Sequence, residues 1–150
     1  MTQIRKNQFA LLFVTLLMFV FSFSGFAQED KHTNKVYTEN LGNGISVTVT
    51  LSEVNTMTRS SKTYSVTKEY FKDGSYIGNA VLYASFSYNG STAEATAASG
   101  AGTGAGGWSY GGQSTWISGS SAYLSASLTK GGTTVPVNLS LHCDANGNIS

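Results

Sequence analysis

From Ile45 to Leu141, apolar and polar residues alternate one by one in run after run, and no convincing stretch repeats its apolar residues every third or fourth position. Successive side chains of a strand point to opposite faces, so a period of two marks a strand with one buried and one wetted face. Ile45, Val47, Val49 and Leu51 alternate with Ser46, Thr48 and Thr50. Tyr64, Val66 and Tyr70 share a face of a run over 63–71. Leu82, Ala84, Phe86 and Tyr88 share another over 76–88. Ala93, Ala95 and Ala97 alternate with Thr92, Glu94 and Thr96, and Trp108 to Ile117 reads as a strand broken at Gly111-Gly112, where a bulge is expected. Ala122, Leu124, Ala126 and Leu128 form one further face, and Val135, Val137, Leu139 and Leu141 the last. Pro136 lacks an N–H, which places that strand at an edge or a bulge.

The punctuation agrees. Asp73-Gly74 and Asn89-Gly90 are hairpin signals, and Lys130-Gly131-Gly132 is a turn. Glu53 to Lys62 reads as a polar connection. Ser99 to Gly107 reads as a flexible crossover between two sheets, because so much glycine stiffens nothing unaided. The expectation is an all-β chain: a small antiparallel β-sandwich of about seven strands, Ig-like in general architecture, with a closed barrel as the alternative. Leu82, Phe86, Leu124, Leu128, Val137 and Leu139 are the expected core.

The start of the chain has a different character. Arg5 and Lys6 precede an apolar run, Phe9 to Phe23, and then Ser24-Gly25-Phe26-Ala27. A basic start, a short apolar run and small residues at −3 and −1 of a cut are the parts of a signal peptide. Residues 1–27 are therefore read as a signal peptide cleaved after Ala27, with an uncleaved anchor as the alternative, and the protein as secreted. Residues 28–42 read as a mobile lead-in and 43–150 as a single β-sandwich domain. Removing Arg5 and Lys6 from nine cations leaves seven against eight acids, a formal charge of −1. That balance lacks the basic footprint of a nucleic-acid binder, and the signal peptide is the only membrane-directed segment.

Chemistry-bearing motifs are scarce. Asp144-Ala-Asn146-Gly-Asn148 carries oxygens at alternate positions but no later bidentate acid, so a turn explains it better than a calcium loop. His142 and Cys143 are adjacent on a strand, point to opposite faces and cannot readily share one metal ion. The glycine stretch 100–107 lacks the Lys-Ser/Thr ending of a phosphate loop. A serine nucleophile needs a positioned base, and only His32 and His142 could serve as one, neither in a recognisable context. The expectation is a chain without catalytic residues, cofactor or metal. Cys143 is the one cysteine, which excludes an internal disulfide. Parity with Leu139 and Leu141 turns its sulfur to the apolar face, so a monomer is expected. The aromatics offer more. Trp108, Tyr110, Trp116 and Tyr123 crowd a segment with little charge and form a possible binding surface, although at least one tryptophan is expected in the core.

Two resemblances follow from short motifs. Phe86-Ser-Tyr88-Asn-Gly90-Ser91, Trp108 before a serine-rich strand, and the ending Leu139-Ser-Leu141-His-Cys143-Asp-Ala-Asn146-Gly147-Asn148 resemble small secreted β-sandwich proteins of uncharacterised function from Gram-positive bacteria. The likeness covers about 61–150, and it implies fold and address only. Members of that group pair a cysteine after the Tyr-Asn-Gly turn with the C-terminal one. Ser91 to Ala98 offers alanines instead, so that bridge is absent. Gly106-Gly107-Trp108-Ser109-Tyr110-Gly111 is similar to a Gly-Trp-x-Tyr-Gly stretch of lactococcin 972-like secreted bacteriocins, where it lies near the mature N-terminus rather than mid-chain. The expected role is a non-enzymatic binding or cell-envelope protein that meets a protein or carbohydrate at the cell surface. The alternatives are an antagonistic factor of the bacteriocin or toxin type, or an extracellular enzyme whose site forms only on folding.

Overall fold

The computed structural model describes residues 34–58 and 60–150; the signal-peptide reading of 1–27 lies outside them. The described residues form eight strands and no helix. They are β1 (Lys35–Gly42), β2 (Ile45–Thr58), β3 (Ser61–Lys72), β4 (Ser75–Tyr88), β5 (Ala93–Gly104), β6 (Ser109–Ser118), β7 (Ser121–Lys130) and β8 (Thr133–His142). A five-stranded sheet runs in the order β1-β2-β3-β4-β5 and a three-stranded sheet in the order β6-β7-β8. Every pairing is antiparallel. The all-β sandwich is thus as the alternation predicts. Each sheet is a plain meander without the Greek-key connections of immunoglobulin domains, so the likeness to them ends at the layering.

The core lies between the sheets, and its chemistry is simple. Val47, Ala80, Leu82, Phe86, Ala122, Leu128 and Val137 are fully buried, and among the described residues no polar or charged one is buried with them. All six residues expected in the core are in it. The smaller sheet packs over β3, β4 and β5. It leaves β1 uncovered, and every residue of β1 but Glu39 is exposed.

Three segments differ from the sequence reading. The expected lead-in 28–42 holds a strand: β1 pairs along β2 from Lys35↔Leu51 to Gly42↔Ile45. With neither face buried, β1 needs no apolar alternation, which is why period two does not reveal it. The hairpin signal was present, since Asn43 and Gly44 both take positive φ, 52° and 74°, as a two-residue hairpin turn requires. The expected connection 53–62 is instead the continuation of β2 and the beginning of β3, with register shifts at Glu53/Asn55 and Asn55/Thr58.

The third segment is the glycine-rich stretch, most of which is strand. A bulge sets Ser85 opposite Ala97 but Phe86 opposite Ala95. That extra residue reverses the parity of β5, so Ala95 is buried and Ala97 is exposed, contrary to the expected Ala93-Ala95-Ala97 face. Beyond the bulge Gly100, Gly102 and Gly104 face the second sheet. A Cβ on Gly100 would run into the Leu124 side chain, one on Gly102 into the Tyr110 ring, and one on Gly104 into the carbonyl of Trp108. These glycines bring two sheets into close approach. The crossover itself is only residues 105–108. The expected bulge in β6 is present between Gly111 and Ser114, and Pro136 sits on β8, the edge of its sheet.

Candidate functional site

The four aromatics of the expected binding surface do not come together. Tyr110 pairs with the fully buried Leu128, so its ring points inward and lies against Gly102. Its hydroxyl donates to Gln113 Oε1 at 2.8 Å, and Gln113 Nε2 donates to the Gly100 carbonyl at 2.9 Å. Trp108, in the crossover, is partly buried against the core. These two fasten β6 to β5 and are packing residues. Trp108 is the tryptophan that joins the core, from its rim.

Trp116 and Tyr123 are placed differently. They stand directly opposite each other on β6 and β7. Their flanking pairs, Thr115↔Leu124 and Ile117↔Ala122, carry the buried Leu124 and Ala122 on the inner face. By strand parity Trp116 and Tyr123 therefore project from the outer face. Their rings stack at 5.3 Å between centroids with 16° between planes. Trp116 keeps 46% of its surface exposed. A large apolar ring half in water is held there by its cross-strand partner, a contact worth about 0.5–1.5 kcal/mol beyond its area.

The surroundings of the pair are hydroxylic and uncharged. The register sets Ser140 beside Tyr123, the row Ser114–Ser125–Asn138 on one side, and Ser118–Ser121–His142 on the other. His142 Nδ1 lies 3.0 Å from Ser121 Oγ and 3.2 Å from Ser120 Oγ. Among the described residues no carboxylate hydrogen-bonds His142. The outer face of β6, β7 and β8 carries no Asp, Glu, Lys or Arg. Lys130, at the end of β7, donates instead to the Gly106 carbonyl at 2.6 Å.

The other candidates resolve into structure. The Asp144 carboxylate accepts from the backbone N–H of Asn146 and Asn148 at 2.8 and 2.9 Å, and from Asn148 Nδ2 at 2.8 Å. Those hydrogen bonds hold its carboxyl below the usual range, and its oxygens serve the C-terminal turn. Among the described residues, two surface clefts, of 340 and 370 Å³, are lined by one charged side chain each, Glu94 and Lys72.

Cys143 is buried on the core side, as parity predicts, and His142 is exposed. Burial pushes the thiol upward, the Asp144 charge adds to this, and Lys62 opposes it. Little thiolate forms at neutral pH, and the thiolate is the reactive species. A thiol reagent at pH 8 is expected to label native Cys143 slowly and denatured Cys143 at the rate of a free peptide thiol. Equal rates in the two states would mean that the C-terminal bridge Cys143↔Ile149 does not shield the sulfur.

Comparison with protein-family models, with curated proteins and with solved structures finds no match to this chain.

Proposed function

We propose that the chain is an exported, non-enzymatic binding protein, and that the Trp116–Tyr123 pair with its serine-rich surround is the contact surface for a neutral carbohydrate. The observation that carries this reading is the stacked pair itself, half in water on a face without charge. Each ring turns one face to its partner and keeps the other for a ligand. The C–H face of a sugar ring matches such a surface by dispersion and apolar contact, while its hydroxyls find donors and acceptors in Ser125, Asn138 and Ser140. The absence of charge from this face disfavours an anionic polymer as ligand. The tripartite N-terminus supports export.

Culture medium from cells expressing the chain is expected to contain a protein beginning at Gln28. That protein should be retained by at least one insoluble polysaccharide among peptidoglycan, chitin and cellulose. Trp116→Ala and Tyr123→Ala should each weaken retention by at least about tenfold, the equivalent of ~1.4 kcal/mol. Each should cost the domain only about the 0.5–1.5 kcal/mol of the stack, so both variants stay folded under the conditions of the retention assay. Retention unaltered in both variants would remove the pair from the binding surface. Growth inhibition of neighbouring bacteria without any glycan retention would favour an antagonistic factor instead.

A further inference from the structure

The geometry points to a second copy of this chain as the partner of the open edge of the large sheet, joined by antiparallel pairing of β1 with β1. The two sheets end in four strand edges, β1, β5, β6 and β8. Those of β5 and β6 face each other, with the Ala95 N–H donating to the Gly119 carbonyl at 2.9 Å and Gln113 spanning to Gly100. The edge of β8 carries Pro136 in mid-strand, which has no N–H to offer. Among the described residues the edge of β1 has none of these protections. No described strand lies beside its outer side, and Val36 and Tyr37 are 60% and 45% exposed. Such an edge is a template for another strand.

The occupant follows from the order of charges along β1. Lys35, Tyr37 and Glu39 share one face, opposite Leu51, Val49 and Val47, and Val36 and Thr38 share the other. A twofold axis through Tyr37 sets Lys35 of each copy opposite Glu39 of the other. It also sets Tyr37 opposite Tyr37, and Val36 opposite Thr38. This is the only antiparallel register that opposes the two charges. Parallel pairing in register would oppose Lys35 to Lys35 and Glu39 to Glu39, which is unfavourable. Opposite charges that can meet in one register only select that register and reject the rest. Lys35 makes no ion pair among the described residues. Glu39, 3.3 Å from Lys68, would then lie between two cations. The contact is isologous, so it closes at two copies and does not propagate. It yields a continuous ten-stranded sheet without using Cys143. The association is non-covalent and replaces the monomer expected from the sequence.

Sedimentation equilibrium of the complete purified chain, from about 1 to 100 μM, tests this. The wild type is expected at twice the monomer mass in the upper part of that range. Lys35→Glu and Glu39→Lys should each weaken dimerisation at least about tenfold, since each creates two like-charge contacts by symmetry. The double variant K35E/E39K restores opposite charges and should return to within about threefold of wild type. A local role for Glu39 beside Lys68 would not be rescued by reversing Lys35. Tyr37→Cys should form an intermolecular disulfide across the axis, seen as a reducible dimer on a gel. Monomer throughout the range, no rescue in the double variant, or a Tyr37→Cys chain that dimerises without cross-linking would each overturn the proposal.

Discussion

Gly104→Ala is expected to destabilise the protein by about 3 kcal/mol or more, at or above the upper end of what overpacking a core ordinarily costs. The methyl group would meet the Trp108 carbonyl oxygen, its carbon at 2.6 Å and the Cα of Ser109 at 3.1 Å. All three are backbone atoms, of the last crossover residue and the first residue of β6, so no rotamer change relieves the clash. The crossover would have to move, and with it the start of β6 and the Trp108 contact on the core rim. Gly100→Ala provides the comparison. Its methyl would meet the flexible Leu124 side chain and, at 3.0 Å, the Val81 carbonyl. Part of that strain can be relieved by turning Leu124, so a smaller loss of about 1–3 kcal/mol is expected. Urea unfolding of the two variants separates them. A Gly104→Ala midpoint no lower than that of Gly100→Ala would show that the sheets do not approach closely at this corner.

That corner shows where sequence reading succeeds and where it stops. Alternation identifies strands that bury one face, so β4, β7 and β8 are legible from Leu82, Leu124 and Val137 alone. It is silent for β1, whose faces are both wet, and only Asn43-Gly44 announces the hairpin. It misjudges β5 because Gly100, Gly102 and Gly104 carry no side chain to show a period. Their spacing of two is itself the strand signal, with glycine in place of an apolar residue because Leu124, Tyr110 and the Trp108 carbonyl fill the space. The one-residue bulge opposite Ser85 and Phe86 leaves no mark in composition, yet it turns Ala97 from the expected inner face to solvent.

The aromatic cluster was visible as a cluster, but its division between core and surface was not. Tyr110 and Trp116 are both on β6, and the Gly111–Ser114 bulge between them shifts the count by which parity would compare them. From the register outward the assignment is simple. Trp116 lies beside two residues whose partners are buried, so it must face out, and Tyr123 opposite it must do the same. Sequence offers the alternation of Tyr123 with Leu124 but not the pairing that sets Trp116 across from it.

Tyr70→Ala is expected to cost about 3–5 kcal/mol, as for other large buried aromatics truncated to a methyl group. Tyr70 is the largest fully buried side chain, 1% exposed, on the inner face of β3 between Val47 and Gly78. Its hydroxyl reaches the Asn138 backbone on β8, whose influence favours the ionised form, so one side chain meets both sheets at the margin of the core. Tyr70→Phe keeps the ring and removes the hydroxyl, for an expected loss of about 1 kcal/mol. The pair of variants therefore divides the packing of the ring from the contribution of the hydroxyl. Burial pushes the Tyr70 hydroxyl far above its ordinary value; the Asn138 backbone opposes the shift, and Glu39 and Tyr110 add to it. Its contribution is complete below about pH 10, where an unfolded tyrosine is still protonated. Above that pH the unfolded chain releases a proton that the folded chain retains, so stability falls as pH rises. Wild type should lose stability steeply above about pH 10, and Tyr70→Phe less steeply, with a remaining slope from Tyr37, Tyr64, Tyr76 and Tyr110, all raised in the same direction. Urea midpoints measured at neutral and alkaline pH test both statements. An equal alkaline slope in wild type and Tyr70→Phe would mean that the hydroxyl ionises without unfolding, and that the contact with Asn138 is open to water.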